Sequence, residues 1–572
     1  MTEASTASPE QPGLFPGTEV ERVTPAPDSI SVPSTRMAAA IDEDAGERAA
    51  RTRNSMLWAA YGDALGFISE LVDRKGLERR TRGAPLDHLM EWRRRVGGRS
   101  GVDVLLPAGC WSDDTQLRMA VGRSLGCHGF DVETFARVEL PVWLSYALGG
   151  GRASKAAARN LGKQRTLWYA NTFRGWANAG GNGAAMRIQP HVWASHDLVD
   201  DYLLDVITDS VCTHGHPRAI VGACFHAATL AYCLGTGTVP DSRTCADIAR
   251  NIGDVLPLIE DHGTLGATWI GLWQQETGNE FRDVWRLTAR ELCVAINDAV
   301  GRADDTEGVE AAYAAIVARL GLENEEQQGS GILTTVAAVA LAAAASKAHE
   351  GVLTAANATG TDTDTIATMT GALLGACDGA ASPPEEPLDS DYLRAEADRL
   401  VAVSRGEQAD NYTYPDLLTW SAPETQADAL VSDNGGLAVE GLGPAKRLAA
   451  DAIYTARRDF AWEWVRTDFG QTLLIKRRPE VKPLEAGNNL TPPPTPRGRS
   501  NRQAAKPGRR TSNRRALKPL DRGVKVDDAI EYAREQITDD TALGYTVRRV
   551  ARDGTIADLA ALVTALRDDL RH

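Results

Sequence analysis

The sequence predicts an all-α protein over most of its length. Three observations carry that expectation. From about Arg51 onward apolar residues recur with helical spacing, glycines punctuate those segments, and the period-two alternation of a half-buried strand is scarce. The 572 residues are 43% hydrophobic and 24% charged, the balance of a soluble globular protein.

Residues 1–50 are expected to form a disordered tail. The first 36 are rich in Ser, Thr, Pro and Glu with few large apolar side chains, too little to offset the entropy of ordering. In the body, 51–405, helical segments read at 119–125, 142–148 and 219–234. A run of Ala, Val and Leu predicts a helix over 332–347, with Lys347 suiting the negative end of its dipole. Another is expected over 366–376, with Asp364 and Thr365 at the capping positions. Residues 406–478, aromatic near both ends and Gly-rich between, read as an accessory subdomain; 479–523, Pro-rich and basic, as a linker; and 524–572 as a small helical module with helices over 526–537 and 556–570.

A net charge of -15 argues against a surface that grips nucleic acid throughout. The eight cysteines form no Cys-x-x-Cys pair, the N-terminus lacks the order of a signal peptide, and no uninterrupted apolar run is long enough to cross a bilayer. A reduced, cytoplasmic protein without a membrane span is expected.

Two acidic words carry chemistry: Ser112-Asp113-Asp114-Thr115 and Asp362-Thr363-Asp364-Thr365. Their oxygen donors suit magnesium or calcium, and manganese, whereas zinc prefers His or Cys. Each alone also reads as ordinary helix capping.

These two words belong to an ordered set: Gly62-Asp63-Ala64-Leu65-Gly66 with Glu70 beyond, Trp111 to Gln116, Gly181-Asn182-Gly183-Ala184-Ala185-Met186-Arg187, Thr213-His214, and Asp362 to Ala367. Together they resemble the ADP-ribosylglycohydrolase family, from about Asn54 to about Arg405. The resemblance implies a multi-helix fold around a central cleft that holds two magnesium ions. It also implies Ser112, Asp113, Asp114, Asp362, Asp364 and Thr365 as metal ligands. Ser112 stands where the family usually has Thr, and Gly360-Thr361-Asp362 where it tends to have Gly-Gly-Asp.

The reaction so implied is hydrolysis of the bond between ADP-ribose and a protein side chain, Arg or Ser. Glu70 is the candidate acid/base, and Asp113 and Asp364 are ligands first and bases by default. Gly181, Asn182 and Gly183 suit backbone contact with a diphosphate. Gly149 and Gly151 resemble a second such loop and read equally as a plain turn. His214 is expected against the bound ADP-ribose and Met186 along the substrate wall. The segment from Glu70 to Trp111, with Arg79, Arg80 and Arg93 to Arg95, is expected to cover the cleft and shape the choice of linkage. The stretch 497–515 has no acidic residue; a solvated spacer is the first reading, and contact with nucleic acid or an acidic partner the second. Two other functions stand beside the leading one. One is hydrolysis of ADP-ribosylated nucleic acid or a small ADP-ribosyl nucleotide. The other is a catalytically retired structural homologue, against which the intact carboxylates argue.

Overall fold

The computed structural model describes residues 45–490 apart from 164–165, 199–200, 304–307, 408, 410 and 449–450, together with parts of 526–569. The expected tail up to residue 44 and the basic stretch from 491 lie outside the described residues. Helix makes up 55% and strand 11% of the described residues, so the body is the helical one expected.

The chain runs through α1 (Ala45–Ser69) and α2 (Arg74–Thr81) into a hairpin, β1 (Trp92–Val96) and β2 (Val102–Leu106). It continues, with other helices interleaved, through α3 (Asp113–Arg123), α4 (Arg152–Leu161), α5 (Pro217–Thr236), α6 (Gly331–Ala344), α7 (Thr363–Gly375) and α8 (Ser390–Ser404). The segment expected to cover the cleft is thus a short helix and a hairpin.

Helices α1 and α7 form the central pair, and glycine sets how closely they lie. Gly62 and Gly66, four residues apart and so on one helix face, abut the carbonyls of Ala367 and Thr363. Gly371 and Gly375 of α7 abut the carbonyls of Trp58 and Asn54 in return. A Cβ at any of the four would run into partner backbone, so the interface closes only because these positions lack side chains. Helix α5 is long and apolar enough to cross a membrane by length and composition, but 78% of that window is buried in the protein, as in a core helix. Helix α6 is buried from Gly331 to Ala342 and stops at Ala344, where Ala345 turns extended. Lys347 therefore does not end it; it is the N-cap residue of the next helix, Ala348–Asn357.

The expected accessory segment is a β-sheet. Strands β3 (Leu430–Asp433), β4 (Gly436–Val439), β5 (Gly443–Arg447), β6 (Ala461–Thr467) and β7 (Thr472–Arg477) lie in the order β7-β6-β5-β4-β3, antiparallel throughout. Lys482–Pro483 adds a parallel edge to β3, and the Asn488 amide bonds Ser421 and Glu440, so packed structure continues into residues expected as linker. Val465, Leu473 and Ile475 join the same hydrophobic core as the helices. The helices Val526–Glu535 and Ile556–Asp569 share a separate small core of Ala529, Ala533, Val550, Leu562 and Leu566.

Candidate active site

The first acidic word opens α3. Ser112 is its N-cap, with Oγ accepting from the Asp114 N–H at 3.1 Å. A second carboxylate, from α1, braces the same turn: Asp63 accepts from the Ser112 N–H at 2.9 Å, the Thr115 N–H at 2.9 Å and the Thr115 hydroxyl at 2.6 Å. The free donors of a helix start are thus met from a neighbouring helix. Asp113 and Asp114 are buried, and Oδ2 of Asp114 has no hydrogen-bond partner. Oδ1 of Asp113 lies against the bare Cα of Gly149, whose φ of +130° is one few other residues adopt; Gly149 makes room for a carboxylate.

The second word opens α7, but its cap is Asp362 rather than Asp364 or Thr365, which fall within the first turn. Asp362 does not cap with its side chain; its Oδ2 accepts from Asn182 Nδ2 at 2.8 Å. Oδ1 of Asp364 accepts from the Thr365 N–H at 2.9 Å, and the Thr363 hydroxyl donates to Gly66 O at 2.9 Å. Helix α7 is therefore positioned through its packing on α1.

The two words converge. Burial first, then the charges of Asp63, Asp113 and Asp362, hold Asp114 well above the usual carboxylate range. Burial followed by Glu70, Asp114 and Asp362 does the same to Asp364. For Asp113, burial and Glu70 push the carboxyl up to about 7 against the opposing charge of Lys155. Buried Arg118 ties the elements together, donating to Thr115 Oγ1 at 3.1 Å, Thr368 Oγ1 at 2.7 Å, Met186 O at 3.0 Å and Gln189 Oε1 at 3.0 Å. Among the described residues, no three His, Cys, Asp or Glu side chains stand grouped as a ready metal cage. The acid-rich centre is four carboxylates shared between two helix starts.

Glu70 follows α1 directly, and its carboxylate pairs with Arg94 of β1 at 2.8 Å. Arg94 lies over the Phe67 ring, 4.3 Å from its centroid. Arg80 of α2 donates to the carbonyls of Ile68 and Glu70, both at 2.9 Å, so a cation meets the orphan carbonyls at the end of α1.

The glycine word is tied into the fold on one side. The Asn182 N–H donates to Gly329 O at 3.0 Å and Gly181 bridges Ser330, so this stretch is joined to the start of α6. Asn182 orients Asp362 through its side chain, and its N–H is engaged within the protein. Gly183 lets His214 and Ser154 approach: a Cβ there would stand 2.9 Å from each. His214 is buried, its Nδ1 bonds Thr213 Oγ1 at 2.7 Å, and burial followed by the Arg187 charge pushes it down to about 3, so the ring is neutral. Met186 is buried and packs in the core cluster. Gly151 is the N-cap residue of α4, with open space where a side chain would be.

Asp63 and Arg118 were missed as functional positions in the sequence. Asp63 sits inside the quoted word Gly62 to Gly66, but nothing local distinguishes it from a solvated helix aspartate; the signal would have been an acid flanked by two close-packing glycines. A cavity of about 840 Å³ lies away from the carboxylates, where the sheet meets the body, and includes Trp464, Arg466, Asp389 and Leu388. It touches the site through Leu388, whose carbonyl accepts from Trp111 Nε1 at 2.9 Å.

The model of the family described as ADP-ribosylglycohydrolase matches residues 44–410, close to the span from Asn54 to Arg405 read in the motifs. A solved structure, an ADP-ribosylglycohydrolase-related protein complex, is similar at 20% identity with a TM-score of 0.39, covering 64% of this chain and 100% of its own. No curated protein matches. The fold and its match define the protein first as a glycohydrolase. The chain belongs to the ADP-ribosylglycohydrolase family, whose reaction is hydrolysis of ADP-ribose linkages in ADP-ribosylated substrates.

Proposed function

We propose that this chain, acting in the cytoplasm, hydrolyses, with two magnesium ions bound, the glycosidic bond joining ADP-ribose to an Arg or Ser side chain of a modified protein. The observation that carries this reading is the buried Oδ2 of Asp114, left without a partner among mutually repelling carboxylates. An unpartnered carboxylate oxygen in such a field fits a cation, and an all-oxygen donor set fits a hard one. Ser112, Asp113 and Asp114 would hold it from one side and Asp362, Asp364 and Thr365 from the other; manganese suits the same donors. Bound there, the metal supplies positive charge to ribose hydroxyls and to the attacking water.

The chain's own residues do the rest. Glu70 holds or gives the proton exchanged at the scissile bond, with Arg94 fixing where its carboxylate points. Asp113 and Asp364 are ligands first and bases by default. Asn182 holds Asp362 in register. Gly149, Gly151, Gly181, Gly183, Met186 and His214 would line the ADP-ribose side, as the resemblance implies.

The deciding experiment is release of ADP-ribose from arginine-, serine- and DNA-linked substrates, with magnesium and with a chelator. Release from the arginine or serine linkage that stops on chelation is expected. Full release after exhaustive chelation would overturn the metal; release from DNA alone would overturn the protein substrate.

A further inference from the structure

Beside Glu70 lies a cavity of about 300 Å³ walled by arginine. Arg79, Arg80 and Arg82 come from α2 and the residue after it, Arg93 from β1, and Val72, Gly76 and Trp92 complete the lining. Trp92 is only 2% exposed, which fixes the apolar floor.

Arg80 is committed to the carbonyls of Ile68 and Glu70. Arg79, Arg82 and Arg93 form no ion pair among the described residues. The nearby acids are otherwise engaged: Asp73 accepts from the Gly76 N–H at 2.8 Å as the cap of α2, Glu78 faces Arg74 at 3.7 Å, and Glu70 holds Arg94. Burial and then the neighbouring charge of Arg94 push Arg80 down to about 10, against the opposing charges of Glu70 and Asp364. All this occurs on a chain whose net charge is -15, where unpaired arginines gathered into one cavity are not explained by composition.

We propose that this cavity is an anion subsite that receives an acidic side chain of the substrate protein next to the ADP-ribosylated residue. The proposal rests on the reading of Glu70 as the group at the bond to be cleaved, since Arg80 and Arg93 lie directly beside Glu70 and its partner Arg94. Guanidinium groups match carboxylates with paired parallel hydrogen bonds. A nucleic-acid backbone is the poorer fit: it is gripped by cations spaced along a track, whereas these are confined to one small concavity. The enzyme would thereby favour modified residues in acidic sequence, a preference lying outside the ADP-ribose being released.

The test uses the full chain and three fluorescent probes: an unmodified peptide with Asp and Glu flanking a central serine, the same peptide flanked by Ala, and a single-stranded oligonucleotide. By anisotropy at low salt the acidic peptide should bind at least about tenfold more tightly than the neutral one, by the measure of one good charge-assisted contact. That preference should vanish in R79A/R82A/R93A and, as an independent check on folding, in R93E alone. Equal binding of the two peptides would overturn the subsite, and tighter binding of the oligonucleotide would reassign it to a phosphate backbone. ADP-ribosylated versions of both peptides separate the two readings. If neither is hydrolysed while the acidic one still binds preferentially, the hydrolase reading fails and the anion site stands; if both are hydrolysed and bound alike, the reverse holds.

Discussion

The two halves of the carboxylate centre are built by different means. Around Asp113 and Asp114 the backbone is held by hydrogen bonds: Ser112 caps α3 from within and Asp63 braces it from α1. Around Asp362 and Asp364 it is held by shape, because α7 lies against α1 at glycine distance and its cap residue turns its carboxylate to Asn182 instead. Helix α1 serves both, offering Asp63 to one half and Gly62 and Gly66 to the other. Mutual repulsion between buried carboxylates is therefore resisted by one shared helix, so the two halves should respond to substitution differently in stability and alike in turnover.

Turnover offers the largest test of that comparison. Asp114→Ala and Asp364→Ala should each lower the rate of ADP-ribose release by about a thousandfold, roughly 4 kcal/mol. The double variant should be little worse than either, as for residues serving one constellation. Additive losses would split the halves into independent sites. Next in size is Gly66→Ala, whose Cβ meets the Thr363 carbonyl; overpacking of this kind should cost about 3 kcal/mol in chemical denaturation, and an unchanged midpoint would show that α7 is not held by shape. Asp63→Asn turns an amide N–H₂ toward donors that now have an acceptor, and about 2 kcal/mol should be lost, with turnover falling because the turn that carries Asp113 and Asp114 loses its brace. The smallest effect is expected for Ser112→Ala, a lost cap worth about 1 kcal/mol measured with the metal chelated. A loss at Ser112 exceeding that at Asp63 would reverse the order of the two braces.

The helical body was legible because its signals are local: apolar spacing, glycine punctuation and two acidic words in order. The pair α1 and α7 was less so, since Gly62 to Gly66 and Gly371 to Gly375 take their meaning from each other across about 300 residues of chain. Asp63 was hidden for the same reason, its partners lying about 50 residues on. Local rules misplaced two ends: Lys347 looked like the end of one helix and begins another, and Asp362 took the cap that Asp364 and Thr365 were expected to share. The sheet escaped notice because Trp462, Glu463, Val465 and Thr467 are all buried, so β6 does not alternate cleanly between apolar and polar residues. Glu70 was found, but its partner Arg94 sits in a run of three arginines that reads as solvated surface until the hairpin sets it over Phe67.

Arg123, at the far end of the helix that begins with Asp113, is fully buried and divides its bonds among Glu139, Tyr392 and Gln471. The sheet is thereby a fixed part of this chain's packing rather than a detachable cassette. A descendant that shed residues beyond 410, the end of the family match, would strip Gln471 from a buried guanidinium and uncover the apolar face completed by Val465, Leu473 and Ile475. Lineages that keep this Arg123 should keep the sheet with it, and those without the sheet should carry a smaller or uncharged residue at that position.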